Sequence, residues 1–154
     1  MKTVIYIYSY HKGNTRKVAE AMATVLKSEI HELAKVGETT ADLTGYDLVG
    51  FGAGIAFSKH YKQLLEFAEC LPAQESKKAF IFSTAGLHSD KTKRKNHAKL
   101  REILVGKGFE IVDEFACKGH DTYSFLKIVG GISKGRPNAE DLDKAKVFAK
   151  GLIG

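Results

Sequence analysis

The chain has 154 residues, 44% of them hydrophobic and 27% charged, which fits one globular domain over 1–154 with a full core. Lys and Arg outnumber Asp and Glu by 24 to 18, for a net charge of +6. Such a surface favours acidic partners, anionic lipid or nucleic acid, or serves solubility with lysines spread over helix faces, which is the reading preferred here. No apolar run approaches the roughly 18 residues of a membrane-spanning helix, so a transmembrane segment is excluded.

Strand and helix patterns alternate along the whole chain. The first strand covers Thr3 to Ser9 and enters at the N-terminus, so no signal peptide is expected. A helix follows over Thr15 to Lys27, with Val18, Met22, Val25 and Leu26 on one face. A short polar strand near Glu29 to Leu33 fits a sheet edge. Leu48 to Phe51 is a continuous apolar strand, and a helix is predicted over Lys59 to Cys70 with Tyr61, Leu64, Leu65 and Ala68 inward. Ala79 to Ser83 is the fourth strand, Lys91 to Lys107 the third helix, and Phe109 to Phe115 the fifth strand. Asn138 caps a last helix running to Leu152, with Glu140, Asp141 and Asp143 in its first turns. Alternating elements with apolar strands predict an α/β fold, a doubly wound five-stranded parallel sheet of order 2-1-3-4-5. Its reversal beside the first strand opens a crevice at the C-terminal ends of strands 1 and 3, where ligands bind.

Three turns fall on that edge. The first, Ser9 to Thr15, empties onto a helix N-terminus, where unpaired backbone N–H groups and the positive dipole end attract phosphate. Ser9, Asn14 and Thr15 add hydroxyl and amide donors, and Gly13 lets the backbone approach closely. The turn lacks GxxxxGK[ST], lacks the three glycines of GxGxxG, and has no downstream Asp for magnesium, so nucleoside triphosphate and dinucleotide chemistry are excluded. Its hydroxyls suit a single terminal phosphate. The second turn, GAGIAFSKHY from Gly52 to Tyr61, carries Gly52 and Gly54, expected to give tight or positive-φ backbone beside a flat ligand. Its Ile55 and Phe57 are apolar loop residues that burial against such a ligand explains. The third is STAGLHSD, Ser83 to Asp90.

On Ser9, His11, Gly13, Asn14 and Thr15 the chain resembles the flavodoxin-like family, whose first strand ends in a Ser/Thr-rich, Gly-containing loop closing in Thr. Lys12 departs from that pattern, because flavodoxin phosphate loops usually manage without a side-chain cation, and the loop is one residue longer than the commonest spacing. The resemblance implies bound FMN. It implies that Ala53, Gly54, Ile55, Ala56 and Phe57 cover one face of the ring. It implies that Thr84, Ala85 and Gly86 meet its polar edge, with Leu87 and His88 where flavodoxins often place a Tyr or Trp. Cys117 to Leu142, with its Gly-Gly-x-x-Lys-Gly-x-Pro-Asn stretch, resembles the tails of small bacterial and archaeal flavodoxin-domain proteins. This puts Cys117 to Thr122, including His120, near the cofactor. The full set of cofactor residues is therefore Ser9, His11, Lys12, Gly13, Asn14, Thr15, Ala53 to Phe57, Thr84 to Gly86, His88 and His120.

The remaining features are weighed against these. Cys70 and Cys117 lack CxxC spacing and are expected to be reduced, mostly buried thiols of a cytoplasmic protein. No histidine pair has HExxH spacing, so no metal site is expected, and GxSxG is absent. The strand ends lack the acidic pair and the phosphorylatable Asp of a response regulator. The basic run Lys91 to Lys95 has no interleaved aromatics, so nucleic acid is not expected as a partner, and the run is taken as the solvated start of a helix. The expected function is a low-potential electron carrier with redox partner proteins, monomeric or dimeric. One alternative is an FMN-dependent oxidoreductase of quinone or protoporphyrinogen type, although the chain lacks the long insertion of the latter enzymes. The other is a cofactor-free binding module of the same fold.

Overall fold

The computed structural model describes residues 1–9, 13–33, 41–86, 89–119 and 135–154. The elements in chain order are β1 (Thr3–Tyr8), α1 (Asn14–Leu26), β2 (Glu29–Glu32), β3 (Leu48–Ala56), β4 (Lys59–His60), α2 (Lys62–Glu69), β5 (Lys77–Ala85), α3 (Asp90–Gly106), β6 (Phe109–Lys118) and α4 (Ala139–Ile153). The main sheet has the order β2-β1-β3-β5-β6, all parallel, which is the predicted 2-1-3-4-5 arrangement. The two-residue β4, absent from the sequence expectation, folds back antiparallel on the end of β3.

Strand alternation divides the core in two. Val4, Tyr6, Phe51, Ala79 and Ile81 face the layer of α2 and α3, together with Leu64, Leu100 and Leu104. Ile5, Ile7, Phe80 and Phe82 face α1 and α4, against Val18, Met22, Ala145 and Ala149. Side chains at i and i+2 share a face, so each central strand buries both faces, as its uninterrupted apolar run requires.

β3 and β5 run farther than expected, to Ala56 and Ala85 instead of Phe51 and Ser83. Gly50 and Gly52 are strand residues here. A Cβ on Gly50 or Gly52 would lie 2.3 Å from the ring of Phe80 or Phe82, both fully buried. These glycines are therefore needed to let large rings on β5 lie across β3. The backbone freedom expected of Gly52 is not what the position uses.

Cys117 is buried as expected, and burial pushes its thiol up to about 12; Cys70, at the end of α2, is exposed, against expectation. Among the described residues no helix is long and apolar enough to cross a membrane.

Gly52→Ala should destabilise the protein by roughly 1–3 kcal/mol, since the added methyl meets a ring that cannot retreat. Gly106→Ala, at the end of α3 with open space around it, should be neutral or stabilising by up to about 1 kcal/mol. Urea unfolding of the two variants checks both. Equal stability of Gly52→Ala and the parent would mean that the β3–β5 packing is slack.

Candidate functional site

The first turn leads into α1 through Gly13, whose φ of 67° is left-handed backbone that glycine adopts without strain. The N-cap residue of this helix, Gly13, has no side chain to cap it, and no acid occupies its first turn. α3 and α4 differ, each starting with a reciprocal cap, Ser89 with Thr92 and Asn138 with Asp141. At α1 the Arg16 N–H reaches Ser9 Oγ only at 3.4 Å. Thr15 is nearly fully buried, and its hydroxyl lies 3.0 Å from that of Thr84 at the end of β5. The Gly119 N–H donates to the Ala85 carbonyl at 3.0 Å, and a Cβ on Gly119 would come within 2.8 Å of Asn14 Nδ2. The ends of β1, β5 and β6 thus converge on the start of α1. Asn14, Thr15, Thr84 and Ala85 come together, with Ser9 and Gly13 beside them. His11, Lys12, His88 and His120 lie outside the described residues, as does most of the Gly-Gly-x-x-Lys-Gly stretch.

The second turn is rebuilt by the structure. Gly52 to Ala56 belong to β3, which carries Ala53 and Gly54 into register with Tyr8 of β1 and with Ser83 and Thr84 of β5. Gly54 does not use positive φ. It makes room for Tyr61, whose ring a Cβ would meet at 2.7 Å and whose N–H donates to the Gly54 carbonyl at 3.1 Å. Ile55 pairs with His60 and Ala56 with Lys59, closing a hairpin over Phe57 and Ser58. Both of those residues have positive φ, 55° and 63°, the backbone that a two-residue hairpin turn demands. Ile55 and Ala56 are partly buried, while Phe57 at the tip is 82% exposed. Below the hairpin lies a cleft of about 360 Å³ lined by Tyr8, Ala56, Phe57, Lys59, His60 and Tyr61, among others. Thr84 and Ala85 end β5 and are not loop residues, and Gly86 follows them, buried.

Behind this edge stands a buried polar chain that sequence reasoning missed. Ser83 Oγ lies 2.6 Å from His97 Nε2, and His97 Nδ1 lies 2.8 Å from Glu114 Oε1. Arg101 donates to both Glu114 oxygens, at 2.6 and 2.7 Å. The carboxylate accepts from Nδ1–H, so Nε2 is left to accept from the Ser83 hydroxyl. The order of groups is that of a Ser–His–acid hydrolase triad. Ser83, however, is 1% exposed inside a strand, and no substrate can approach its oxygen. The chain therefore clasps β5, β6 and α3 together. His60 joins it, its ring 5.0 Å from that of His97 and its Nε2 3.0 Å from the Phe82 carbonyl. His60 Nδ1 is buried without a hydrogen-bond partner among the described residues. The one signal in the sequence was His97 at i, i+3, i+7 with Leu100 and Leu104, a histidine on the buried stripe of α3.

Both histidines are held neutral. Burial, then the neighbouring His97, pushes His60 down to about 3. Burial also lowers His97, against the opposing pull of Glu114. Burial on its own would raise Glu114, but hydrogen bonds from His97 and Arg101 and the guanidinium charge outweigh it and hold the carboxyl at about 2.

A doubly wound sheet with its candidate site at the C-terminal strand ends is the architecture in which flavodoxins are built, and comparison with known proteins agrees. Residues 5–127 match the Flavodoxin domain family. An uncharacterized protein of Methanocaldococcus jannaschii is 44% identical over 153 residues, covering 99% of both chains. The chain therefore belongs to the flavodoxin domain family. Oxidised flavodoxin 2 from Bacillus cereus shares the fold at a TM-score of 0.69 and 18% identity, over 99% of this chain and 98% of that one. A flavoprotein in complex with FMN from Lactobacillus acidophilus NCFM has a TM-score of 0.55 and 18% identity, over 75% and 93% of the two chains.

The buried groups predict acid lability with a definite sign. His60 stays neutral in the fold down to about pH 3, whereas the unfolded chain takes up its proton below about 6.5. Its contribution is full above pH 6.5 and is lost as the pH falls from there towards 3. That of Glu114 is full above its ordinary value of 4.5 and is lost as the pH falls through about 2. Urea midpoints should drop steadily from pH 7 to pH 4. His60→Gln, which keeps a donor for the Phe82 carbonyl, should flatten that slope by up to one proton. An unaltered slope would show that His60 is charged in the folded protein.

Proposed function

We propose that this chain holds a flavin mononucleotide at the C-terminal edge of its sheet and serves as an electron carrier. The observation that carries this reading is the buried Thr15–Thr84 hydroxyl pair, which brings the phosphate-type turn and the end of β5 to one point. Three further features of the edge fit a phosphorylated flat ligand. α1 starts from Gly13, which offers no side-chain cap, its Arg16 N–H reaches Ser9 Oγ only at 3.4 Å, and no acid lies in its first turn. Among the described residues, none would crowd a Cβ on Gly13. Ala53 to Ala56 and Thr84 to Gly86 end two paired strands beside that helix start, leaving a bounded edge for a ring.

In this reading Ser9, Gly13, Asn14 and Thr15 hold the phosphate through backbone N–H groups, hydroxyls and the helix dipole. His11 and Lys12 belong to the same turn in sequence. Ala53 to Ala56 and Thr84 to Gly86 border the ring, with Phe57 at the rim, and His88 and His120 belong to the flanking segments. When bound, FMN supplies one- and two-electron redox chemistry. The protein's part is to orient the ring, to keep water from its inner face and to present hydrogen bonds from strand-end backbone. The B. cereus and L. acidophilus proteins are described as a flavodoxin and as a flavoprotein with FMN, which supports the same assignment here.

Titration with FMN, followed by flavin fluorescence and visible absorption, tests the proposal. Saturable binding at micromolar concentration or tighter is expected, and no binding would leave a cofactor-free module of the same fold. Thr15→Val should weaken FMN binding roughly tenfold or more, since a hydrogen bond to a charged group contributes about 1.5–3 kcal/mol. Its stability should fall by about 1–3 kcal/mol, the cost of leaving the buried Thr84 hydroxyl unpaired, so affinity is compared under conditions where both proteins are folded. Unchanged affinity would restrict Thr15 to its contact with Thr84.

A further inference from the structure

The rim of the candidate site carries charge that the fold does not need. The sequence stretches 59–62 and 90–95 hold six cations, Lys59, Lys62, Lys91, Lys93, Arg94 and Lys95, against one acid, Asp90. That imbalance accounts for nearly the whole net charge of +6. The structure brings the two stretches side by side, because His60 of β4 packs on His97 of α3. Five of the six are exposed and Lys93 is half-buried. Among the described residues none of them forms an ion pair, although α1, α3 and α4 pair other cations with Glu20, Glu114 and Glu140. Four sit in the first turns of α3, where positive charge opposes the helix dipole and the cations repel one another. The acids Asp90, Asp113 and Glu114, which line a cleft with Lys93 and Arg94, offset part of that repulsion, whereas Lys59, Lys62, Lys91 and Lys95 are exposed and line no cleft with an acid among the described residues.

The cations are not arranged for the proposed phosphate either. They belong to the α2 and α3 layer, whereas the start of α1 lies on the opposite face of the sheet. Lys59 and Lys62 line one cleft with Phe57, which stands 82% exposed at the hairpin tip, while Lys93 and Arg94 on the neighbouring helix line a second cleft with Asp113 and Glu114 of β6. One exposed aromatic within a charged rim is the make-up of a protein-docking surface, in which an apolar anchor is surrounded by steering charges. A membrane surface would call for more than one apolar residue, and single-stranded nucleic acid for aromatics among the cations.

We propose that the β3–β4 hairpin and the N-terminal turns of α3 form a docking surface for an acidic electron-transfer protein. The acidic character of the partner rests on these charges, and its redox character rests on the flavin reading above.

The test uses a strongly acidic [2Fe–2S] ferredoxin as probe, with binding measured by calorimetry at low and at physiological salt. Binding should weaken steeply with salt. The triple variant Lys59→Glu, Lys91→Glu, Lys95→Glu should lose at least tenfold in affinity. The matched variant Lys78→Glu, Lys146→Glu, Lys150→Glu, with the same net charge but cations placed elsewhere, should stay within twofold or threefold of the parent. Phe57→Ser should weaken binding to a similar factor at both salt concentrations. Equal losses in the two triple variants would overturn the proposal, because only net charge would then matter. Tighter, rim-dependent binding to phosphatidylserine vesicles or to an oligonucleotide would overturn it in favour of another class of partner. FMN titration of each variant separates the two readings. A protein that binds no FMN but docks the ferredoxin through this rim would sink the carrier assignment and leave the docking surface standing.

Discussion

The end of β5 is held from both sides of the sheet, and the arrangement of the whole C-terminal edge depends on that double hold. Successive residues of a strand point to opposite faces. Ser83 therefore turns to the α3 layer, where it meets His97, and Thr84 turns to the α1 layer, where it meets Thr15. The first contact continues through Glu114 to Arg101 and ties in β6, and the second reaches the start of α1. A shift of this strand by one residue would exchange the two hydroxyls between layers and break both contacts. The register is accordingly fixed where the candidate ring-binding segment, Ala85 and Gly86, begins.

Polar groups buried this deeply stabilise a fold only when their hydrogen bonds are made. In the His97 chain each ring nitrogen has one partner of the right kind, and the guanidinium of Arg101 meets the carboxylate with two bonds. His60 is the looser member, with one nitrogen on the Phe82 carbonyl and the other buried without a partner among the described residues. Its neutrality follows from that position, since a charged imidazolium there would be desolvated and set against the ring of His97. The same packing of His60 on His97 draws the hairpin onto α3.

Large rings and missing side chains are matched across the middle of the sheet. Phe80 and Phe82 lie where β3 carries Gly50 and Gly52, so the face towards α1 and α4 is filled from one strand and left bare on its neighbour. Farther along β3, Gly54 makes room in the same way for Tyr61, and the chain can then turn back sharply into β4. Steric matching of this kind, and not backbone flexibility, explains the glycines of that segment.

The fold was largely legible in the sequence because its signals are local. Apolar strand runs, the 3.6-residue stripe of α1 and the Asn138 cap each depend on neighbours a few residues away, and all appear where expected. The first turn was legible for the same reason, since Gly13, Asn14 and Thr15 announce a helix start. The lengths of β3 and β5 were not, because a strand continues as long as its neighbours offer partners, and those partners come from distant segments. Nor was the role of Gly52 and Gly54, which is set by rings tens of residues away or across a hairpin. The sequence by itself determined the order of elements and the parallel sheet. Only the tertiary structure decided which side chains meet, joining Thr15 to Thr84 and Ser83 to His97 and Glu114, because contacts between residues far apart in the chain leave no periodic trace in it.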